Sequence, residues 1–194
     1  MDPTRWFRPD RLFEGGYPAG ISSALRSLAA VRAAVLDEVA RAAPRRALEV
    51  GPGDAPLLAD VAGAVYLDVV ARFLAAVRGP RVLGDVRRAP FRDATFDLVV
   101  ASDVFTHIPP DERAGAVGEL VRVARRVLIF NPEPGTLGVP GSPVPSDDLE
   151  AALGALGLAV RRRDFAARVE EREGGPPGGR YTMSILVAER PTSA

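Results

Sequence analysis

Three acidic residues and a glycine turn are spaced along the first half of the chain. Glu49 comes two residues before the Gly51-Pro52-Gly53 turn, Asp68 follows 19 residues after Glu49, and Asp85 lies further on. A carboxylate attracts cations and accepts hydrogen bonds from hydroxyl or amine groups. A glycine turn lets the backbone approach a ligand closely. These residue types predict a site for a ligand with a cationic end and several hydrogen-bond donors.

All of these residues fall at or next to the end of a predicted strand. The segments RALEV, AVYLDV, RVLGDV, FDLVVAS and VLIF are typical of short buried strands, and helical patterns separate several of them. Five such units predict an α/β fold with a parallel, doubly wound sheet. Ligands bind in such sheets at the carboxyl ends of the strands, near the point where the strand order reverses.

The other segments complete this pattern. A helix is predicted over residues 22–41, short helices in DAPLLADVA and VARFLAAVR, and a longer one in PPDERAGAVGELVRVARR. Ser146 is predicted to cap a helix that runs to Leu156 and stops at Gly157. LAVRRRDFAARV and RYTMSILVAER are predicted strands, and the glycine- and proline-rich stretch between them favours an antiparallel pair.

The glycine turn differs from a dinucleotide-binding loop in two respects. Pro56 occupies the place of the third glycine of the G-x-G-x-x-G pattern, and Glu49 would repel a pyrophosphate. The same carboxylate would attract an ammonium group. Asp68 is placed to accept from two vicinal ribose hydroxyls, Asp85 from an adenine amine, and the Val86 N–H to donate to a ring nitrogen. S-adenosylmethionine combines these groups and carries no phosphate.

The segments LEVGPGDAP, VYLDVV and GDVRRAPFRDATFDLVVASDVFTHI resemble, in order and spacing, the motifs of class I S-adenosylmethionine-dependent methyltransferases. The last segment is particularly similar to the small-molecule branch of that superfamily. The resemblance covers residues 47–130 and implies a Rossmann-like, mostly parallel seven-stranded sheet with an antiparallel C-terminal hairpin. The cofactor-binding residues that it implies are Glu49, Gly51, Gly53, Asp68, Val69, Asp85, Val86 and Ser102.

The resemblance also places the acceptor beside the segment that follows the fourth strand. His107, the only histidine, lies there, and an imidazole is a suitable base near neutral pH. In some small-amine methyltransferases a histidine at this place is paired with an N-terminal tyrosine, a role that Tyr17 would fill from a lid. The alternatives are that His107 packs against the helix near Pro110 and that Tyr17 packs on the sheet. Asp103 is predicted to contact the substrate or to begin that helix.

Two other chemistries fit the sequence less well. Methyltransferases that act on nucleic-acid bases or glutamine carry an Asn/Asp-Pro-Pro-aromatic motif after the fourth strand, where this chain has SDVF. Catechol-type enzymes bind Mg²⁺ through residues after the fourth and fifth strands. Asp103 and Asn131 offer two oxygen ligands, but no third is evident, so we predict no metal.

Composition sets the outer limits. Lys and Arg together number 25, as do Asp and Glu, so net charge gives no reason to expect nucleic acid as a partner. The chain has no cysteine, which excludes disulfides, thiolate metal sites and cysteine nucleophiles. The start, MDPTRWFRPD, is unlike a signal peptide, and no apolar run suits a membrane helix, so we expect a cytoplasmic protein.

The sequence thus predicts a lid or arm over residues 1–20 and a single methyltransferase domain over 21–194 that begins with a helix. The leading hypothesis is methyl transfer from S-adenosylmethionine to an O or N atom of a small molecule by in-line displacement, in a monomer or homodimer. A non-catalytic cofactor-binding protein or partner subunit is the first alternative. A macromolecular methyltransferase is the second.

Overall fold

A computed structural model describes residues 29–53, 55–134, 144–169 and 179–191. The predicted arm over residues 1–20, the start of the first predicted helix and Tyr17 lie outside the described residues. Seven strands form one sheet: β1 (Ala47–Val50), β2 (Ala64–Asp68), β3 (Arg81–Leu83), β4 (Phe96–Ser102), β5 (Ala124–Pro132), β6 (Ala159–Val169) and β7 (Gly179–Glu189).

The strand order is β3-β2-β1-β4-β5-β7-β6. Strands β1 to β5 are parallel, β7 runs antiparallel to β5, and β6 runs antiparallel to β7. The predicted doubly wound sheet with an antiparallel C-terminal hairpin is confirmed. The order reverses between β1 and β4, so a ligand is expected above the carboxyl ends of these two strands.

Helices cover both faces of the sheet, which is why the central strands are continuous apolar runs rather than alternating ones. Helices α1 (Ala29–Ala42) and α2 (Ala71–Ala76) pack on one face, where Val35 and Leu74 join the core. Helices α3 (Arg113–Val123) and α4 (Ser146–Ala155) pack on the other, through residues such as Leu120 and Leu153. None of the helices described here is long and apolar enough to cross a membrane.

Three local predictions differ from the structure. No helix forms in the described part of DAPLLADVA; the chain makes successive turns instead, with Val61 N–H donating to Leu58 O and Ala64 N–H to Val61 O. The segment is short, and the backbone N–H groups of Leu57 and Leu58 donate to the side chain of Glu49 in β1. Strand β5 is also longer than VLIF, because its pairing with β4 already begins at Ala124.

The start of α4 is the third difference. Pro145, not Ser146, occupies the N-cap position, and no side-chain cap is formed from within the helix. The N–H of Ser146 donates instead to Glu133 Oε2 at 3.2 Å, so a carboxylate from the segment after β5 accepts one of the bonds that a cap would accept. The predicted stop at Gly157 is confirmed, with φ of +80° at that residue.

Candidate cofactor and acceptor site

The glycine turn leaves β1 at the point where the strand order reverses. Gly51 and Gly53 have φ of +68° and +55°, a left-handed conformation that glycine adopts without strain. A Cβ at position 51 would lie 2.8 Å from Val104 Cγ2 on the segment after β4. The Gly51 N–H donates to Leu67 O of β2 at 2.9 Å. The turn therefore fits tightly between two strand ends, and any side chain at position 51 would disturb it.

Glu49 lies inside β1 and is fully buried. Its Oε1 accepts from the Leu57 N–H at 2.8 Å and its Oε2 from the Leu58 N–H at 2.9 Å. These bonds compensate the buried charge and hold the segment that follows the glycine turn. The sequence did not predict this role. A carboxylate has acceptor sites for more than two donors, so contact with a ligand ammonium group stays a prediction.

Asp68 ends β2 and is 8% exposed. Its Oδ1 accepts from the Val70 N–H at 2.8 Å, which shapes the turn that carries half-buried Val69. Its carbonyl oxygen accepts from the Gly84 N–H at 3.0 Å and joins this turn to the segment after β3. The ends of β2 and β3 are thereby held side by side, with Asp68 and Asp85 on neighbouring segments.

Asp85 begins a 3₁₀ turn, Val86–Arg88, and its carboxylate is engaged by Arg87. Oδ1 accepts from the Arg87 N–H at 2.9 Å, and both carboxylate oxygens accept from its guanidinium. A second ion pair joins Arg87 to Glu112. Burial would raise the pKa of Asp85, but the hydrogen bonds from Arg87 outweigh it and lower that pKa. The same hydrogen bond to Asp85 raises the pKa of Arg87.

Arg122 of α3 supports the segment after this turn. Its guanidinium donates to the carbonyl oxygens of Ala89 and Phe91 at 3.0 and 2.8 Å, and pairs with Asp93 and Glu119. Glu119 in turn accepts from the Ala89 N–H at 2.9 Å. The spacing of Glu119 and Arg122 was the only sequence signal for this arrangement. The hydrogen bonds of Arg122 and Glu119 tie the segment after Asp85, on the cofactor side of the predicted site, to α3.

The segment after β4 carries the residues predicted for the acceptor. Asp103 is buried, with φ of +51°, and its Oδ1 accepts from the Thr106 hydroxyl at 3.0 Å. Its N–H donates to Phe130 O of β5 at 2.9 Å. A 3₁₀ turn, Phe105–His107, follows, and places half-buried His107 on this loop. Asp103 thus stabilises the loop that carries His107.

Two buried polar atoms lie at the carboxyl ends of β4 and β5. Ser102 is 2% exposed and Asn131 is 1% exposed, and within the described ranges neither Ser102 Oγ nor Asn131 Oδ1 has a hydrogen-bond partner. The amide of Asn131 is fixed in orientation, since its Nδ2 donates to Val144 O at 2.8 Å and to Ser146 Oγ at 3.0 Å. A buried polar atom without a partner costs roughly 1–3 kcal/mol. Such atoms at the ligand-binding end of a sheet suit a bound polar molecule.

The fold therefore gathers most of the predicted residues at one end of the sheet. The glycine turn, Asp68 and Asp85 follow adjacent strands, and the Ser102 to His107 segment follows the next strand across the reversal point. Residues that hold this end together, such as Arg122 and Glu133, were not predicted. No group of three or more His, Asp or Glu residues in the described ranges is arranged to hold a metal ion.

Residues 48–128 match the family described as a methyltransferase domain. This range runs from β1 into β5 and includes the glycine turn, both acidic strand ends and the loop after β4. No curated protein matches the chain in sequence.

Many solved structures share the fold. A SAM-dependent methyltransferase from Archaeoglobus fulgidus is 17% identical with a TM-score of 0.62, and the alignment covers 81% of this chain and 94% of that one. Magnesium protoporphyrin IX methyltransferase from Synechocystis PCC 6803 with bound SAM is 14% identical over 81% and 77%, with a TM-score of 0.61. TehB from Haemophilus influenzae is 13% identical over 82% and 62%, with a TM-score of 0.65. The family match over residues 48–128 and the shared fold together support a class I S-adenosylmethionine-dependent methyltransferase.

Proposed function

We propose that the chain transfers the methyl group of S-adenosylmethionine to an oxygen or nitrogen atom of a small molecule. The observation that carries the acceptor half of this proposal is a pair of polar atoms without a hydrogen-bond partner among the described residues, Ser102 Oγ and Asn131 Oδ1, at the ends of β4 and β5. Ser102, which the sequence resemblance assigns to the cofactor, is here proposed to lie on the acceptor side. Both atoms lie next to the loop that carries His107. A small polar acceptor bound there would supply the hydrogen bonds that these buried atoms lack.

On the cofactor side, the ends of β1, β2 and β3 hold the molecule. The backbone of the glycine turn lies under the amino-acid end, because Gly51 and Gly53 leave no side chain in the way. Asp68 accepts from the ribose hydroxyls, with Val69 beside it, and the Val86 N–H donates to the purine ring. The buried charge of Glu49 favours the cationic end of the cofactor, while its two backbone hydrogen bonds keep the loop in shape.

The bound cofactor supplies a sulfonium, which already activates the methyl group for displacement. The protein mainly has to hold the acceptor in line and exclude water, which together remove several kcal/mol of the barrier. His107 takes a proton from an acceptor that arrives protonated. Asp103 acts on His107 indirectly, through the strained turn and the Thr106 hydroxyl. Tyr17, from the N-terminal arm, completes the acceptor side.

A methyl-transfer screen tests this function. The chain is incubated with S-adenosylmethionine and panels of small amines, phenols and carboxylates, and S-adenosylhomocysteine is measured together with the mass of the product. We expect acceptor-dependent turnover with one added methyl group per S-adenosylhomocysteine formed. Deleting residues 1–20 should abolish turnover while cofactor binding remains. Binding of cofactor without turnover on any panel would instead support the non-catalytic alternative.

A further inference from the structure

Arg87 bears on how the base of the cofactor is recognised. Among the described residues, every hydrogen bond to the Asp85 carboxylate comes from Arg87: one from its backbone N–H and the others from Nε and Nη2 of the guanidinium. The Asp85 and Arg87 side chains are 30% and 23% exposed, so water competes only partly with this pair. The guanidinium is held from its other side by Glu112, on the 3₁₀ turn before α3.

The pairing with Arg87 matters for cofactor recognition because of where Asp85 lies. Asp85 follows β3, and the adjacent segment ends with Asp68, to which it is joined through the Gly84 N–H. If Asp68 binds the ribose, as the proposed function requires, the purine lies towards the segment after β3. Asp85 is then the nearest candidate acceptor for the exocyclic amine of adenine. That amine is a neutral donor, whereas Arg87 is a cation with a planar, two-pronged set of donors.

A neutral amine does not displace such a partner. Hydrogen bonds between a guanidinium and a carboxylate are charge-assisted and roughly twice as strong as neutral ones. Displacement would also deprive Nε and Nη2 of this partly buried guanidinium of their acceptor, while Glu112 holds only Nη1. The backbone bond from Arg87 N–H to Asp85 Oδ1 further fixes the 3₁₀ turn in the paired geometry.

We propose that Arg87 occupies the Asp85 carboxylate in the cofactor complex as well, so that this chain does not read the amino group of adenine. The purine is then held by the Val86 N–H and by shape. Asp85 then positions the turn. Arg87 lowers the specificity of the site, because the carboxylate that it occupies no longer distinguishes an amino group from hydrogen at the 6-position of the base. This inference rests on the proposed function.

The test compares S-adenosylhomocysteine with an analogue in which hydrogen replaces the 6-amino group of the purine. The analogue keeps every ring nitrogen. Both are titrated into the wild-type chain by calorimetry. We expect the two dissociation constants to agree within about threefold, whereas direct reading by a carboxylate would weaken the analogue by about tenfold or more. A tenfold preference for the amino compound in the wild type would therefore overturn the proposal.

Arg87→Met supplies the converse test. Removing the guanidinium exposes the Asp85 carboxylate to the purine, so the preference for the amino compound should rise to about tenfold or more. Arg88→Met, which removes the same charge from an exposed neighbour, should leave it within threefold. An unchanged preference in Arg87→Met would show that Arg87 has no part in base selection.

Asp85→Asn keeps the experiment decisive if Arg87→Met fails to fold. The asparagine oxygen still accepts from the Arg87 N–H, and because the carboxylate is not reading the base, the preference should stay within threefold of the wild type. A change in preference beyond that range would overturn the proposal. Absence of S-adenosylhomocysteine binding to the wild type is a separate result, and it would contradict the proposed function together with everything that rests on it.

Discussion

Replacing Asp68, at the end of β2, is expected to weaken cofactor binding. Asp68→Ala removes the carboxylate proposed to accept from the ribose hydroxyls, and hydrogen bonds to charged groups contribute roughly 1.5–3 kcal/mol. At about 1.4 kcal/mol for each factor of ten, the dissociation constant for S-adenosylhomocysteine should rise about 10- to 150-fold. The same change removes the acceptor for the Val70 N–H, so part of the effect could arise from the turn itself.

Asp68→Asn separates these two contributions. The asparagine has nearly the same volume and retains an oxygen that accepts from the Val70 N–H, but it lacks the negative charge. We expect its thermal midpoint to stay close to that of the wild type, since the turn is preserved. Its affinity for S-adenosylhomocysteine should still fall, though less than in Asp68→Ala.

Isothermal titration calorimetry and thermal denaturation of the three proteins are the required measurements. Loss of the bond from the Val70 N–H in Asp68→Ala costs about 1 kcal/mol of unfolding free energy, or about 2–4 °C for a domain of this size. Affinity unchanged within twofold in Asp68→Ala would refute the assignment of Asp68 to the ribose. A loss in Asp68→Ala with none in Asp68→Asn would assign the effect to the turn.

Three further predictions concern stability and catalysis. Glu49→Gln leaves a buried backbone N–H unsatisfied, so the midpoint measured by differential scanning fluorimetry should fall by about 2–12 °C; no fall would contradict the capping role. Hydrogen bonds from Arg122 lower the pKa of Glu119, so their stabilising contribution is full above the unfolded value of 4.5 and is lost as pH falls through the lower folded value. In Glu119→Gln the thermal midpoint should therefore fall less steeply than in the wild type as the pH is lowered below 4.5. An equally steep fall in the two proteins would contradict this contribution of Glu119. His107→Asn should lower kcat by about 10²–10⁴-fold on the acceptor found by screening, without changing cofactor affinity, if His107 is the base; unchanged kcat would leave His107 with a packing role.

The sheet could be predicted from the sequence because its signals are local. Buried runs such as FDLVVAS, together with a helical pattern between strands, define the alternating units. Topology rules for parallel sheets then place the strand ends together. The segment after Pro56 was mispredicted as a helix because its apolar residues fit either a short helix or a series of turns. The hydrogen bonds from the Leu57 and Leu58 N–H groups to the Glu49 carboxylate favour the turns over the helix, and the spacing of residues in the sequence does not reveal such bonds.

The site was predictable in residue types but not in pairing. Acidic residues at successive strand ends point to a ligand with hydroxyl, amine and cationic groups. Whether a given carboxylate meets the ligand or another part of the protein depends on its neighbours in space. Glu49 accepts from backbone N–H groups, and Asp85 from Arg87 two residues later. The bond between Asp85 and Arg87 depends on the 3₁₀ turn at Val86–Arg88, which the sequence pattern does not predict.

Calorimetric titration of S-adenosylhomocysteine into the wild-type chain, with NAD in a parallel titration, tests whether the site at the glycine turn takes a phosphate-free cofactor. A buried carboxylate beneath the glycine turn and the absence of the third glycine favour a cationic, phosphate-free cofactor over a dinucleotide. We predict saturable binding of S-adenosylhomocysteine at one site per chain and no binding of NAD. Binding of NAD, or no binding of S-adenosylhomocysteine, would contradict the account.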